Sequence, residues 1–222
     1  AFYFIADSSM LDFQKAFIQF SIDRNVLRFG EFKTKAGRPS PYFFNSGLFN
    51  DGDSLRLLGE FYAKAILAAA LPFDMLFGPA YKGIPLVSTI AVALSGMGHN
   101  YPYCFNRKEI KDHGEGGALI GAPLAGRVLI VDDVISAGTS VRESVDLIRA
   151  THATPSGVMI ALDRMERGAG QLSAVQEAHK AFGIPVASII NLDHLIEYLP
   201  NNKNLTHHLN AIQRYRDAYG VK

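Results

Sequence analysis

Apolar and polar positions along the first third of the chain follow two patterns. Apolar side chains recur three and four residues apart in residues 11–24 and again in residues 54–70, and this spacing predicts two amphipathic helices. Residues 29–45 between them mix extended and turn signals, and Pro39 and Pro41 exclude a long helix there. The amino-terminal part is therefore predicted to hold two helices separated by extended chain.

Short apolar runs and helical patterns alternate through the rest of the chain. The apolar runs predict buried strands at residues 75–77, 103–105, 128–131, 158–162 and 186–190. Helical spacing predicts helices at residues 84–95, with Pro85 in the first turn, and at residues 139–150 and 205–219. Strands that alternate with helices form a parallel sheet covered on both faces. The predicted fold is an α/β fold with a parallel sheet, and we expect residues 1–222 to form a single domain.

Composition and charge exclude several classes of protein. Apolar residues make up 48% and charged residues 19% of the chain, which is the balance of a globular protein with a sizeable core. The net charge of +1 gives no indication of a nucleic-acid partner. No apolar run reaches the ~18 residues that a membrane helix needs. Cys104 is the only cysteine, so we expect no internal disulfide, a structural role for its thiol and a cytoplasmic location.

The most specific segment follows the predicted strand at residues 128–131. Asp132 and Asp133 stand at its carboxyl end, where open α/β sheets bind ligands. The next seven residues supply small side chains, hydroxyl groups and the free N–H groups of a helix start, which together suit a phosphomonoester. The residues that we expect to hold this phosphate are Val134, Ile135, Ser136, Ala137, Gly138, Thr139 and Ser140.

An ordinary strand-to-helix turn with Thr139 as the N-cap is the plainer interpretation, but it leaves the two adjacent carboxylates unexplained. A Walker loop is excluded because no Gly-Lys-Ser/Thr sequence ends the segment, and a GxGxxG fingerprint is absent here. The segment resembles the phosphoribosyl pyrophosphate (PRPP) motif of type I phosphoribosyltransferases. In that family the acidic pair faces the ribose hydroxyls and the metal shell, and the following loop holds the 5-phosphate. This resemblance identifies the superfamily but not the nucleobase.

Residues 78–85 form a second motif, in which Lys82 lies between Gly78-Pro79 and Gly83 at a predicted strand end. A lone lysine is usually an exposed surface residue, but this position favours a contact with a phosphate oxygen. The segment resembles the pyrophosphate loop of orotate phosphoribosyltransferases, and the resemblance adds Tyr81 to the PRPP-binding residues.

Residues 106–117 are polar and rich in glycine, which is typical of a solvated hairpin tip. A cationic lid that excludes water and neutralises a pyrophosphate leaving group has the same composition. The run resembles the catalytic loop of orotate phosphoribosyltransferases nearly residue for residue. The resemblance implies a homodimer in which this lid reaches the neighbouring subunit's site. The implied PRPP-binding cations are Arg107, Lys108, Lys111 and His113.

Residues 35–45 and 162–168 resemble the orotate-binding hood of the same family and its orotate-contacting arginine. An arginine fork can pair with the carboxylate or a ring carbonyl of orotate, and an aromatic side chain can cover the ring. The two phenylalanines of the first segment also fit core packing, and we expect at least one to be buried. The implied orotate residues are Lys35, Phe43, Phe44, Ser136 and Arg164, with Lys35 also near PRPP.

The resemblance extends over residues 11–220 and implies a transfer of ribose 5-phosphate from PRPP to orotate, which gives orotidine 5′-monophosphate in pyrimidine biosynthesis. It implies Mg²⁺ bound mainly through PRPP rather than directly by the protein. It also implies a small hood built from the amino- and carboxyl-terminal segments, and the stand-alone enzyme rather than bifunctional UMP synthase. Catalysis is expected to rest on positioning and electrostatics, without a covalent nucleophile. The expected catalytic residues are Lys82, Lys111, Asp132 and Asp133.

Two alternatives stay open. A purine phosphoribosyltransferase would share the phosphate loop but lack the segments around Lys35 and Arg164. A regulator that senses PRPP and binds nucleic acid would keep the phosphate loop and lose the lid. The intact lid and the near-neutral charge disfavour the regulator.

Overall fold

The computed structural model describes residues 10–34, 37–111, 117–135, 138–168 and 170–221, and at residues 110, 111 and 117 it describes the backbone alone. This part of the chain contains seven α-helices and eight β-strands. The helices are α1 (Asp12–Asp23), α2 (Gly52–Ala69), α3 (Gly83–Gly96), α4 (Thr139–Ala150), α5 (Ala174–Phe182), α6 (Leu192–Tyr198) and α7 (Leu209–Tyr219). The strands are β1 (Leu27–Lys33), β2 (Pro39–Phe44), β3 (Met75–Gly78), β4 (Tyr103–Lys111), β5 (Gly117–Gly121), β6 (Arg127–Val131), β7 (Thr154–Asp163) and β8 (Val186–Asn191).

Six strands form the main sheet in the order β5-β4-β3-β6-β7-β8. All neighbouring pairs are parallel except β4 and β5, which are antiparallel at one edge. The continuous apolar run of β6 is explained by burial on both faces, because Leu129 and Val131 pack into one hydrophobic cluster while Val128 and Ile130 pack into a second. The carboxyl ends of β3 and β6 lie side by side, so the segments that follow them meet at one edge.

A second sheet consists of the antiparallel pair β1 and β2. The carboxyl-terminal residues lie against the segment after β7, where Glu166 forms a bridge with Gly220 and the Arg167 amide donates to the Tyr219 carbonyl. Helix α7 also contacts β2. That the two termini form a hood on a single domain of residues 1–222 remains our interpretation of this arrangement.

The predicted α/β class and every predicted helix and strand are confirmed, with bounds that shift by a few residues. The carboxyl-terminal helix begins at Leu209, after a 3₁₀ turn at Thr206–His208. Strand β5 and helices α5 and α6 were missed, and β1 and β2 were predicted only as a mixture of extended chain and turns. Within the described residues, no helix is both long enough and apolar enough to cross a membrane. Cys104 is buried in β4, as expected of a structural residue.

The polar run at residues 106–117, interpreted as a hairpin tip or a lid loop, is in large part strand. Strand β4 continues to Lys111 and β5 begins at Gly117, while residues 112–116 lie outside the described part. Strand β3 pairs with β4 only as far as Phe105, so the rest of β4 pairs with β5 alone. Half-exposed or exposed side chains at residues 105–109 remove the apolar alternation that would have indicated a strand.

Candidate active site

The loop after β6 leads directly into α4. The N-cap of α4 is Gly138, whose left-handed φ of 73° suits glycine, and no side chain caps the first turn. Thr139 is the first helical residue, so the interpretation of Thr139 as an N-cap is wrong. Gly138 has no side chain with which to cap the first N–H groups of α4, and free N–H groups at a helix start are the arrangement that binds an anion. Ser136 and Ala137 lie outside the described residues.

A cleft of about 310 Å³ lies between this loop, the carboxyl end of β3 and the middle of β4. It brings together most of the predicted phosphate residues that the structure describes. Asn106 also lines it and was missed; its Oδ1 accepts a hydrogen bond from the Ala80 amide at 2.7 Å and thereby ties the segment after β3 to β4. The predicted residues that line this cleft are Lys108, Asp132, Val134, Ile135, Gly138, Thr139 and Ser140.

Asp132 is buried at the floor of the cleft, with 8% of its surface exposed. Its Oδ1 accepts from the Asp133 amide at 2.9 Å, and its Oδ2 accepts from the Ser140 hydroxyl at 2.9 Å. Burial, followed by the negative charge of Asp133, raises the pKa of Asp132 to about 6. This carboxylate is therefore held in an unfavourable environment, which a bound cation or hydroxyl group would improve.

Asp133 has different partners. Its Oδ2 accepts from the Lys82 ammonium at 2.7 Å and from the hydroxyl of Ser46, a residue that the sequence had not indicated. Ser46, Lys82 and Asp133 line a second, largely apolar cavity of about 210 Å³. The two adjacent acids therefore serve two neighbouring cavities, in line with the opposite directions of successive side chains in extended chain.

The segment between β3 and α3 depends on close backbone contact. A Cβ atom on Gly78 would lie 2.1 Å from the Gly83 carbonyl oxygen, so only glycine fits. This packing places Lys82 at the start of α3, where 61% of its side chain is exposed while its ammonium pairs with Asp133. Tyr81 is also exposed, and the Lys108 ammonium lies 6.0 Å from its ring centre.

Arg164 follows β7 and already has several partners. Its Nε and Nη2 donate to the two carboxylate oxygens of Glu166 at 3.0 and 3.1 Å. Nη2 also donates to the Ser40 hydroxyl at 3.0 Å, and the guanidinium lies 4.2 Å from the ring centre of Tyr42. Tyr215 completes the group. Sequence reasoning assigned a role to Arg164 alone, although Ser40, Tyr42 and Glu166 lie in the two segments that it named for this site. The Arg-x-Glu spacing after a buried strand was a usable signal for Glu166.

The phenylalanines of β2 correct one expectation. Both Phe43 and Phe44 are half-buried, and the fully buried aromatic residue of this strand is Tyr42. The alternation of β2 turns Ser40 and Tyr42 inward, whereas Phe43 stacks against Phe32 with ring centres 5.6 Å apart. Phe44 packs at the margin of the core.

Besides Ser136 and Ala137, three predicted site residues cannot be placed. Lys35 and His113 lie outside the described residues, and the structure gives only the backbone of Lys111, at the end of β4. Arg107 lies on β4, next to Asn106. Among the described residues, no group of three or more His, Cys, Asp or Glu side chains is arranged to hold a metal ion.

Comparisons with known proteins agree with this geometry. The phosphoribosyl transferase domain family matches residues 48–184. The orotate phosphoribosyltransferase of Nitrosospira multiformis is 73% identical over 213 residues, covering 96% of this chain and 93% of that protein. The enzyme of the same name from Thiobacillus denitrificans is 64% identical over 212 residues, with 96% and 100% covered. The crystal structure of orotate phosphoribosyltransferase from Francisella tularensis matches with a TM-score of 0.84 and 40% identity, covering 92% of this chain and 99% of that one.

These similarities extend over nearly the whole chain, at identities well above those that indicate a shared fold alone. They set aside the purine-specific and regulatory alternatives. The chain belongs to the orotate phosphoribosyltransferases, the type I phosphoribosyltransferases that transfer ribose 5-phosphate from PRPP to orotate.

Proposed function

We propose that PRPP lies along the cleft between the loop after β6 and the segment after β3. The 5-phosphate binds the N–H and hydroxyl groups of residues 134–140, and the ribose hydroxyls face Asp132 and Asp133. The observation that carries this assignment is the cleft itself, since both segments line it and Asp132 forms its floor. The pyrophosphate extends toward Tyr81 and Lys82 after β3 and toward the cations that the sequence indicates at residues 107–113, which are Arg107, Lys108, Lys111 and His113.

In this arrangement catalysis depends on charged side chains that lie beside the substrate atoms on which opposite charge develops during the reaction. Departure of pyrophosphate leaves positive charge near C1 of the ribose and negative charge on the leaving group. The carboxylates of Asp132 and Asp133 stabilise the positive charge near C1. The ammonium groups of Lys82 and Lys111 stabilise the negative charge on the pyrophosphate. Lys82 has to release Asp133 to reach pyrophosphate. Because its side chain is largely exposed, this ion pair contributes only about 0–1 kcal/mol and opens readily.

Mg²⁺ is the cofactor that we propose for this cleft. Mg²⁺ is commonly held by one or two carboxylates together with substrate phosphates, and the acidic pair offers that donor set. The raised pKa of Asp132 indicates a carboxylate that gains from a nearby cation. When bound with PRPP, the metal supplies positive charge to the departing pyrophosphate, while Asp132 and Asp133 orient the ribose.

We propose that orotate binds beside β2 and Arg164. The guanidinium donates hydrogen bonds to a carboxylate or carbonyl oxygen of orotate, and the backbone near Lys35 and Phe44 forms hydrogen bonds with the ring edge. Phe43 and Ser136 complete the subsite. The half-buried Phe43 of β2 stacks on Phe32 of β1, and this aromatic pair supports a site for a flat ring. Arg164→Ala is expected to raise the KM for orotate far more than the KM for PRPP. Steady-state kinetics with each substrate varied would test this, and a normal orotate KM would contradict the assignment.

We further propose that the enzyme is a homodimer whose lid acts in trans. The β4–β5 ribbon supports this proposal, because beyond Phe105 it no longer pairs with β3 and extends past the main sheet. Such a ribbon is suited to carry Lys111 to a neighbouring site.

Complementation tests the trans lid directly. Lys111→Ala damages the lid and Asp133→Asn damages the ribose site, so each homodimer has two defective sites. If the lid crosses, equal mixing with subunit exchange gives mixed dimers with one intact site, and activity should reach about a quarter of the parent value. If exchange is confirmed by mass spectrometry and activity does not rise above either variant, the lid acts within its own subunit.

A further inference from the structure

Glu166 is the closest charged partner of Arg164, and although it lies in the segment of residues 162–168, no role has been assigned to it above. Its carboxylate spans Nε and Nη2 of the guanidinium, so that two hydrogen bonds fix the plane of the arginine fork. Side-chain exposure is 22% for Arg164 and 20% for Glu166, so the pair is shielded from solvent on most sides. A charge in such a position needs its partner, because an unpaired buried guanidinium would turn toward water.

The surroundings restrict the guanidinium further. The ring of Tyr42, which is fully buried, lies 4.2 Å from its central carbon, and Ser40 accepts a bond from Nη2. Tyr215 on α7 donates its hydroxyl to Glu166 and packs edge-on against Tyr42, with ring centres 6.2 Å apart. All the hydrogen bonds described here use Nε and Nη2, and Nη1 makes none of them.

We propose that Glu166 is a positioning residue for the base subsite, which it serves by fixing Arg164 on Tyr42 so that Nη1 is presented to orotate. Tyr215 supports the carboxylate from the carboxyl-terminal helix. The inference rests on the proposed contact between Arg164 and orotate. It predicts that loss of the Glu166 charge changes recognition of the base and leaves PRPP recognition intact.

Glu166→Gln is the central variant, because it removes the charge and keeps the shape. The KM for orotate should rise about ten- to hundredfold, the range expected for a lost charge-assisted hydrogen bond, while the KM for PRPP stays within about twofold. In an Arg164→Ala background the same change should alter the orotate KM by less than about twofold, because Glu166 then has no arginine to position.

Asp193→Asn is the matched control. It breaks the 2.8 Å ion pair between Arg216 of α7 and Asp193 of α6, and so loosens the same helix without touching Arg164. The orotate KM of this variant should equal that of the parent enzyme. An equal rise with Asp193→Asn would mean that general loosening of α7 is the cause, and the proposal would be overturned.

Tyr215→Phe keeps the proposal testable if Glu166→Gln does not fold. It removes only the hydroxyl that donates to Glu166, and it should raise the orotate KM in the same direction by a smaller factor. Unchanged orotate KM in the folded variants, or an equal rise in the PRPP KM, would overturn the role of Glu166 while the role of Arg164 stands. An unchanged orotate KM in Arg164→Ala would instead remove the proposed orotate site, and this inference with it.

Discussion

Asp132→Asn should stabilise the folded enzyme at pH 8 while it reduces turnover. Burial, together with the charge of Asp133, raises the pKa of Asp132 from its ordinary value of 3.8 to about 6. Because the folded pKa is the higher one, the contribution of Asp132 to stability is fully present below pH 3.8 and is lost as the pH rises through about 6. A shift of about two units corresponds to about 3 kcal/mol, which a neutral side chain would recover at pH 8.

Asparagine can keep both hydrogen bonds of the aspartate. Its Oδ1 can accept from the Asp133 amide, and its Nδ2 can donate to Ser140, whose hydroxyl turns to accept. No buried polar atom is then left without a partner, so little should offset the gain. Turnover should fall because the variant lacks the carboxylate charge that we propose to face the ribose and the metal.

Urea unfolding at two pH values measures the effect. The variant should exceed the parent by about 3 kcal/mol at pH 8 and by less than about 1 kcal/mol at pH 4, where the folded parent is already protonated. The melting temperature at pH 8 should rise by several degrees, at about 2–4 °C per kcal/mol for a chain of this size.

Asp74→Asn provides a control of opposite sign. Hydrogen bonds from Arg127 lower the pKa of Asp74 to about 2, so its stabilising contribution is present above pH 3.8 and is lost as the pH falls through about 2. This variant should lose stability at pH 8 and keep its turnover, because Asp74 precedes β3 at the opposite end from the cleft. If Asp132→Asn were no more stable than the parent at pH 8, burial would not be the dominant influence on Asp132.

Three further variants separate binding, catalysis and stability. Combined Thr139→Val and Ser140→Ala should weaken PRPP binding in calorimetry by about 1.5–3 kcal/mol per lost bond to the phosphate, with a much smaller effect on orotate; equal losses would argue against a phosphate site. Lys82→Met should lower kcat while urea unfolding changes by less than about 1 kcal/mol, because its pair with Asp133 is exposed on the lysine side; an unchanged kcat would remove Lys82 from the catalytic set. Tyr62→Phe should cost about 1–3 kcal/mol of unfolding free energy, since the buried Asp132 carbonyl loses the tyrosine hydroxyl at 2.8 Å, and an unchanged midpoint would show that another donor replaces it.

Elements buried on both faces were predictable, because each of their positions is apolar. Strand β6 is the clearest case. The β4–β5 ribbon was not, because its polar side chains carry no periodic signal. Helix α5 was missed although Ser173 and Gln176 form a capping box at its start, a signal that sequence reasoning can use.

The site shows the same division between local and long-range information. Asp132, Asp133 and Lys82 stand at strand ends, where residue type and position indicate ligand binding. Ser46 and Tyr215 reach the site only through the fold, since they lie 87 residues from Asp133 and 49 residues from Glu166 in the sequence. Sequence patterns therefore indicated the residues that we propose to face ligands, and they did not indicate the residues that hold those side chains in place.

The two halves of the proposed site also differ in how their charges are balanced. The positive charge of Arg164 is neutralised by Glu166 before any ligand binds, so in the proposed site orotate would bind to an ion pair that is already formed. The negative charge of the acidic pair is balanced less well. Asp132 accepts hydrogen bonds but has no cation beside it within the described part of the chain, and burial destabilises its charged form. Bound PRPP with Mg²⁺ would relieve that cost, whereas orotate would not. Ligand-induced stabilisation should therefore increase with pH through about 6 for PRPP and stay nearly constant for orotate, because only the first ligand changes the environment of Asp132.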